Sequence, residues 1–115
     1  MIHRIDTGPR MSEAVVHGQT VYLAGQVADD TAADVRGQTE QVLASIDELL
    51  ARVGSDKTKI LQATVYLADI ATFQDMNAAW DAWVAQGHTP ARATVEAKLA
   101  TPAYKVEIVV VAAVG

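Results

Sequence analysis

The chain has 115 residues, which is enough for one ordinary domain and too few for two. Hydrophobic residues make up 50% of it and charged residues 20%, so the composition can bury a core and excludes a mainly disordered chain. No apolar run approaches the ~20 residues of a membrane-spanning helix, and the basic start is not followed by the apolar stretch of a secretory signal. We therefore expect a single cytoplasmic domain over residues 1–115, with no membrane partner.

The charged residues disfavour nucleic acid as a partner. The formal net charge is −5, and the nine basic residues are scattered along the chain. Such a surface offers few aligned cations to phosphates, and the few aromatic residues offer few stacking platforms to bases.

The residue types also limit the chemistry. Without cysteine there is no disulfide, no thiolate zinc site and no cysteine nucleophile. The histidines, His3, His17 and His88, lie in different segments, so we expect no metal site. Glycine motifs for dinucleotides or phosphates and the GxSxG motif of acyl enzymes do not occur.

The first third of the chain predicts β-strands. Ile2 to Ile5 is a short candidate strand. Ala14 to His17 and Thr20 to Ala24 flank Gly18-Gln19, a pair that suits the two-residue turn of a β-hairpin.

The middle of the chain predicts two helices separated by a strand. Thr31 to Val53 shows a helical period, with Thr31 as N-cap and Gly54 as the left-handed terminator. Ile60 to Leu67 is a β-rich apolar run. The second helix is predicted over Thr72 to Gln86, ended by Gly87. Its predicted buried face consists of Phe73, Met76, Trp80, Trp83 and Val84.

The last third predicts two strands and an oligomer. Arg92 to Leu99 alternates strictly, which indicates one buried apolar face and one polar face containing Arg92. After a turn, Tyr104 to Val114 forms a strand whose second half, Ile108 to Val114, is apolar on both faces. Two helices can cover only one face of a sheet of about five or six strands, so a second copy of the chain is expected on the other face.

Arg92 and Glu107 are the strongest candidates for chemistry. Arg92 has small neighbours, and its guanidinium matches a carboxylate; the alternative is an ion pair with a surface carboxylate. Glu107 enters the most apolar strand, where a carboxylate needs a role or a partner such as Lys105 or Arg92. A simple hairpin would place Arg92 near position 111, ~13 Å from Glu107, although the two could meet across a subunit boundary.

Asn77 is the third candidate. It lies on the apolar side of the second helix, where a buried amide must find hydrogen-bond partners. A helix-to-loop hydrogen bond and direct contact with a ligand both remain open.

Together these segments resemble the reactive intermediate deaminase (Rid) family of YjgF-type proteins. The motifs that carry the resemblance are Ala24-Gly25-Gln26, Met76-Asn77-Ala78-Ala79-Trp80, Pro90-Ala91-Arg92 and Lys105-Val106-Glu107-Ile108. Arg4-Ile5-Asp6, Arg10-Met11-Ser12, Ala79 to Val84 and Gly87-His88 resemble the YoaB-like branch.

The resemblance implies a chorismate-mutase-like α+β fold, with a mixed sheet, two helices on one face, and a homotrimer with ligand clefts between subunits. It implies cofactor-free hydrolysis of reactive enamines and imines, such as small 2-imino acids, to 2-oxo acids and ammonia. Arg92 would anchor the substrate carboxylate, Glu107 would position water, and Gly25 and Asn77 would line or support the cleft.

The sequence departs from the family pattern around these residues. Thr94 stands where cysteine is common, Ala24 where serine is common, and Arg10 or Met11 where the deaminases usually have tyrosine; Val109 replaces a second acid. Thr94 and Arg10 are therefore added as candidate substrate-binding residues. The alternative function is a non-catalytic trimeric module that binds 2-oxo acids or similar carboxylates. A ribonuclease, claimed for some family members, is disfavoured by the acidic balance.

Overall fold

The computed structural model describes all 115 residues as a six-stranded sheet with two helices. The elements are β1 (Ile2–Ile5), β2 (Ala14–His17), β3 (Thr20–Leu23), α1 (Val35–Arg52), β4 (Ile60–Leu67), α2 (Phe73–Trp83), β5 (Ala91–Glu96) and β6 (Val106–Ala113). The predicted hairpin of β2 and β3 is confirmed: His17 pairs with Thr20, and Gly18 takes a φ of 62° in the turn.

The strand order is β1-β2-β3-β6-β4-β5. The sheet is mixed, because β4 and β5 run parallel while the other neighbouring strands are antiparallel. The last strand, β6, therefore lies in the middle of the sheet, between β3 and β4. This position explains its apolar sequence, since a central strand contacts the core along its whole length.

Both helices pack on one face of the sheet, as predicted, and the core lies between the two layers. The helices contribute Leu43, Ile46, Leu50, Met76 and Trp80 to this core, and the central strands contribute Val65, Leu67, Ile108 and Val110. The opposite face is uncovered in the single chain, with Tyr22 50% and Val95 43% exposed. Neither helix has the length and apolar character needed to cross a membrane.

Both helices are shorter than predicted. The N-cap of α1 is Asp34 rather than Thr31, because the Asp34 side chain accepts a hydrogen bond from the backbone N–H of Gly37 at 2.8 Å. Gly54 then closes this helix with a φ of 74°, as predicted. The second helix ends at Trp83, because Val84 already has an extended backbone with a ψ of 139°, so the prediction that Gly87 ends it is wrong. The freed carbonyl of Trp83 accepts a hydrogen bond from Lys57 Nζ at 2.6 Å.

The last two strands do not form the simple hairpin that the sequence analysis considered. β5 pairs with β4 at the sheet edge, since β6 occupies the place between β3 and β4. The assignment of the faces of β5 is also wrong. Arg92 pairs with Ala63, which is fully buried beneath the helices, so the polar residues of β5 are on the helix side. The apolar residues of this strand are on the uncovered face.

Candidate ligand site

Arg92 lies on the edge strand β5 and is held against α2. Its Cζ atom is 4.9 Å from the centre of the Trp80 ring and 5.9 Å from that of Phe73. Its Nη1 donates to the sulfur of Met76 at 3.9 Å. Residues 73, 76 and 80 lie on one face of α2, because they are three and four positions apart, and together they form the surface that contacts Arg92.

Arg92 forms no ion pair within the chain. The one ion pair in the structure joins Arg52 to Asp6, so the predicted alternative of a strand-edge ion pair is wrong. Burial lowers the pKa of Arg92 from its ordinary value, and the nearby negative charge of Asp81 opposes this shift. A half-buried guanidinium without a bound carboxylate can still accept one from a ligand.

Two further candidates lie on the same side as Arg92. Asn77 follows Phe73 by four residues and precedes Trp80 by three, which places it on the helix face that contacts Arg92. Its Oδ1 atom is buried and accepts no hydrogen bond from the chain, so the predicted helix-to-loop hydrogen bond to this oxygen is absent. Thr94 is half-buried two residues after Arg92 on the same face of β5.

Glu107 lies on the uncovered face, packed against Gly25. A Cβ atom added to Gly25 would come within 2.0 Å of the Glu107 carboxylate, so the missing side chain makes room for this acid. The backbones of Gln26 and Ile108 exchange hydrogen bonds of 2.9 and 3.1 Å, which hold the two segments together.

Glu107 also lacks the ion pair considered as the alternative to a functional role. Lys105, one of its two predicted partners, instead donates from Nζ to the carbonyl of Ala33 at 2.9 Å. On the neighbouring strand, Tyr66 pairs directly with Glu107, so their side chains are on the same face.

Arg92 and Glu107 are on opposite faces of the sheet. Arg92 pairs with Ala63 of β4 and Glu107 with Tyr66, and side chains three positions apart on a strand point to opposite sides. None of the four surface pockets of the chain is lined by either residue. A single chain therefore does not bring the guanidinium and the carboxylate to one ligand.

Arg10 lies in the exposed loop between β1 and β2. This loop ends at Glu13, whose carboxylate accepts a hydrogen bond from Gln26 and whose carbonyl accepts one from Ala24 N–H. Arg10 is thus in the loop that reaches the Gly25 segment, but no ion pair fixes its side chain.

The sequence patterns missed the contacts around both candidate residues. Trp80, Phe73 and Met76 are predicted only as an apolar helix face, because nothing local indicates that β5 packs against them. Tyr66 is likewise found beside Glu107 only through the strand register. No group of three or more histidine and acidic side chains is arranged to hold a metal ion.

The fold defines a small α+β protein of the chorismate-mutase-like class. The family model described as Endoribonuclease L-PSP matches residues 1–114. The RutC family protein YoaB of Escherichia coli is 51% identical over 113 residues, which cover 98% of each chain. The crystal structure of NMB1025, a YjgF family member from Neisseria meningitidis, has a TM-score of 0.97 at 46% identity and covers 100% of this chain and 96% of its own.

A more distant relative has a named activity. The 2-iminobutanoate/2-iminopropanoate deaminase of Bos taurus is 34% identical over 110 residues, covering 90% of this chain and 80% of the relative. From these matches the chain belongs to the YjgF-type, or Rid, family. The predicted resemblance to the family and to its YoaB-like branch is thereby confirmed.

Proposed function

We propose that this protein is a cofactor-free deaminase that hydrolyses small 2-imino acids and their enamines to 2-oxo acids and ammonia. The observation that carries the proposal is the half-buried guanidinium of Arg92, which has no acidic partner in the chain. The activity named for the bovine relative supports the same class of substrate.

In this proposal Arg92 binds the substrate carboxylate through two parallel hydrogen bonds and so orients the C=N bond. Glu107 accepts a proton from water as the water oxygen adds to the imine carbon. Glu107 returns this proton to the former imine nitrogen and then moves the remaining hydroxyl proton to the same nitrogen, so that the C–N bond breaks, C=O forms and ammonia leaves with the carboxylate regenerated. Free imines hydrolyse readily, so positioning of the substrate and one acid–base group are enough to catalyse the reaction.

The site needs two copies of the chain. Because Arg92 and Glu107 are on opposite faces of the sheet, we infer that each cleft combines Arg92 of one subunit with Glu107 of its neighbour. The uncovered sheet face supports such an assembly, since half-exposed side chains such as Tyr22 and Val95 are available for burial. A homotrimer with clefts between neighbouring subunits is the arrangement we propose.

The direct test measures 2-oxo acid and ammonia release from 2-iminopropanoate and 2-iminobutanoate generated in situ. The wild type should accelerate hydrolysis, and Arg92→Ala should lose this acceleration while keeping its assembly and nearly the same Tm. Arg92→Lys is the matched control, because it keeps the charge but cannot bind a carboxylate through a planar fork, and should retain partial activity. Full activity in Arg92→Ala would contradict the mechanism.

A second candidate is a binding module for 2-oxo acids. Ala24 lacks the hydroxyl of the serine, and Arg10 or Met11 that of the tyrosine, that the family resemblance implies at these positions, and their loss favours binding without turnover. Calorimetry with 2-oxobutyrate separates the two functions: binding that survives in Glu107→Ala, with no turnover in either protein, would favour the module. The endoribonuclease of the family description is disfavoured by the net charge of −5.

A further inference from the structure

The side chain of Arg92 is held by rings and a sulfur atom rather than by acids. The nearer ring, that of Trp80, is 4.9 Å from Cζ and belongs to a residue that is only 5% exposed. The attraction between a guanidinium and an aromatic face is strongest where water is excluded. Phe73 and Met76 complete the contact from the same helix.

Of the guanidinium nitrogens only Nη1 has a partner within the chain, the weakly accepting sulfur of Met76 at 3.9 Å, so this attachment leaves most of the N–H donors available. Arg52 provides the contrast within the same chain, because its two Nη atoms donate to Asp6 at 2.7 and 3.0 Å and are thereby occupied. An aromatic ring instead contacts the flat face of a guanidinium and does not compete as a carboxylate would for its N–H donors.

We propose that Trp80 is the positioning residue of Arg92: its ring holds the guanidinium by the face and leaves the edge donors for the carboxylate of the ligand. This inference rests on the proposed function, in which Arg92 anchors that carboxylate. Trp80 acts through Arg92 and needs no contact with the substrate. Loss of the ring should therefore raise Kd and KM for a carboxylate ligand and leave kcat little changed.

Trp83 provides a matched control on the same helix. Its ring is 5.4 Å from that of Trp80, and it contacts Lys57 and Asp47. The sequence contains only these two tryptophans. Trp83→Phe therefore leaves Trp80 as the only tryptophan, and Trp80→Phe leaves Trp83, so intrinsic fluorescence reports on each position separately.

The experiment titrates wild type, Trp83→Phe, Trp80→Phe and Trp80→Leu with 2-oxobutyrate and, as an uncharged control, 2-oxobutanamide. Trp83→Phe should bind 2-oxobutyrate like the wild type, with a change in Trp80 fluorescence. Trp80→Leu should raise the Kd for 2-oxobutyrate about tenfold, and a parallel assay of 2-iminobutanoate hydrolysis should show a similar rise in KM with little change in kcat; Trp80→Phe should show smaller effects, because the smaller ring keeps part of the attraction. The amide should bind all four proteins equally weakly.

Wild-type affinity in Trp80→Leu would overturn the inference while the proposed function stands. If Trp80→Leu does not fold, two other measurements decide. The inference is overturned if saturation of Trp83→Phe with 2-oxobutyrate leaves the Trp80 fluorescence unchanged and Trp80→Phe binds 2-oxobutyrate as tightly as the wild type. A failure of the wild type to bind or hydrolyse any carboxylate substrate would overturn the proposed function itself, and this inference with it.

Discussion

Gly25 is needed for space rather than for backbone conformation. Its φ is not in the left-handed region, but a Cβ atom there would lie 2.0 Å from Oε2 and 2.9 Å from Cδ of Glu107. Gly25→Ala should therefore displace the carboxylate and lower kcat/KM by about ten- to a hundredfold, as small misplacements of a catalytic group do. The Tm should fall by less than about 5 °C, because the half-buried acid can move aside.

Gly8→Ala is the control for this substitution. The nearest atom to its added Cβ would be the carbonyl oxygen of Met11 at 3.4 Å, an ordinary contact. Steady-state kinetics on both variants test the idea, and wild-type kcat/KM in Gly25→Ala would contradict a role for Glu107 in turnover.

Substitution of Asn77 by an apolar residue should affect stability and ligand binding in opposite directions. Its buried Oδ1 lacks a hydrogen bond within the chain, and such an atom costs about 1–3 kcal/mol. Asn77→Leu should therefore keep or raise the free energy of unfolding, while binding of 2-oxobutyrate becomes weaker. Chemical denaturation and calorimetry measure the two effects, and a less stable variant with unchanged affinity would contradict a role in ligand binding.

At the level of single residues, local sequence motifs were enough to select candidate site residues, namely Arg92, Glu107, Gly25 and Asn77. The partners of these residues were not predictable in the same way. The approach of Gly25 to Glu107 joins segments more than eighty residues apart, and the pairing of β3 with β6 together with that of Gln26 with Ile108 creates it.

The pair of Asp6 and Arg52 links two elements, since Asp6 directly follows β1 and Arg52 is the last residue of α1. The hydrogen bonds from Arg52 hold the pKa of Asp6 below its ordinary value of 3.8. Because the pKa of Asp6 is lower in the folded state than in the unfolded state, its ion pair stabilises the fold fully at a pH above the unfolded-state pKa. This stabilisation is lost as the pH falls through the folded-state pKa.

Thermal unfolding between about pH 6 and about pH 2.5 tests this linkage. The Tm of the wild type should fall further over this range than that of Asp6→Asn, which keeps the shape but does not titrate. The difference should be small, because the pair is exposed to water. Equal falls in Tm for both proteins would show that the pair does not contribute.

For whole elements, the sequence predicted β4 from Ile60 to Leu67 with the observed bounds, because its apolar run is sharply bounded. Helix ends were less predictable. The carbonyl of Trp83 at the end of α2 accepts a hydrogen bond from Lys57 in a distant segment, and no pattern within the helix indicates that partner.

For the whole molecule, the sequence predicted a sheet with helices on one face, but it did not indicate the neighbour of β5, for which only a hairpin with β6 was considered. Consecutive strands often pair, and the turn between residues 100 and 103 favoured a hairpin. The parallel pairing of β5 with β4 instead puts Arg92 and Glu107 on opposite faces. Alternation along a strand shows that two faces differ, but it does not show which of them packs against the helices.

The central claim is that each site joins Arg92 of one subunit to Glu107 of another, and mixing inactive variants tests it. Arg92→Ala and Glu107→Ala are unfolded and refolded together in equal amounts, and imine hydrolysis is compared with each variant refolded alone. A cleft receives an intact Arg92 in about half of the cases and an intact Glu107 in about half, so about a quarter of wild-type activity should return. No recovery in mixed oligomers would contradict the account, because it would place both residues of each site on one chain.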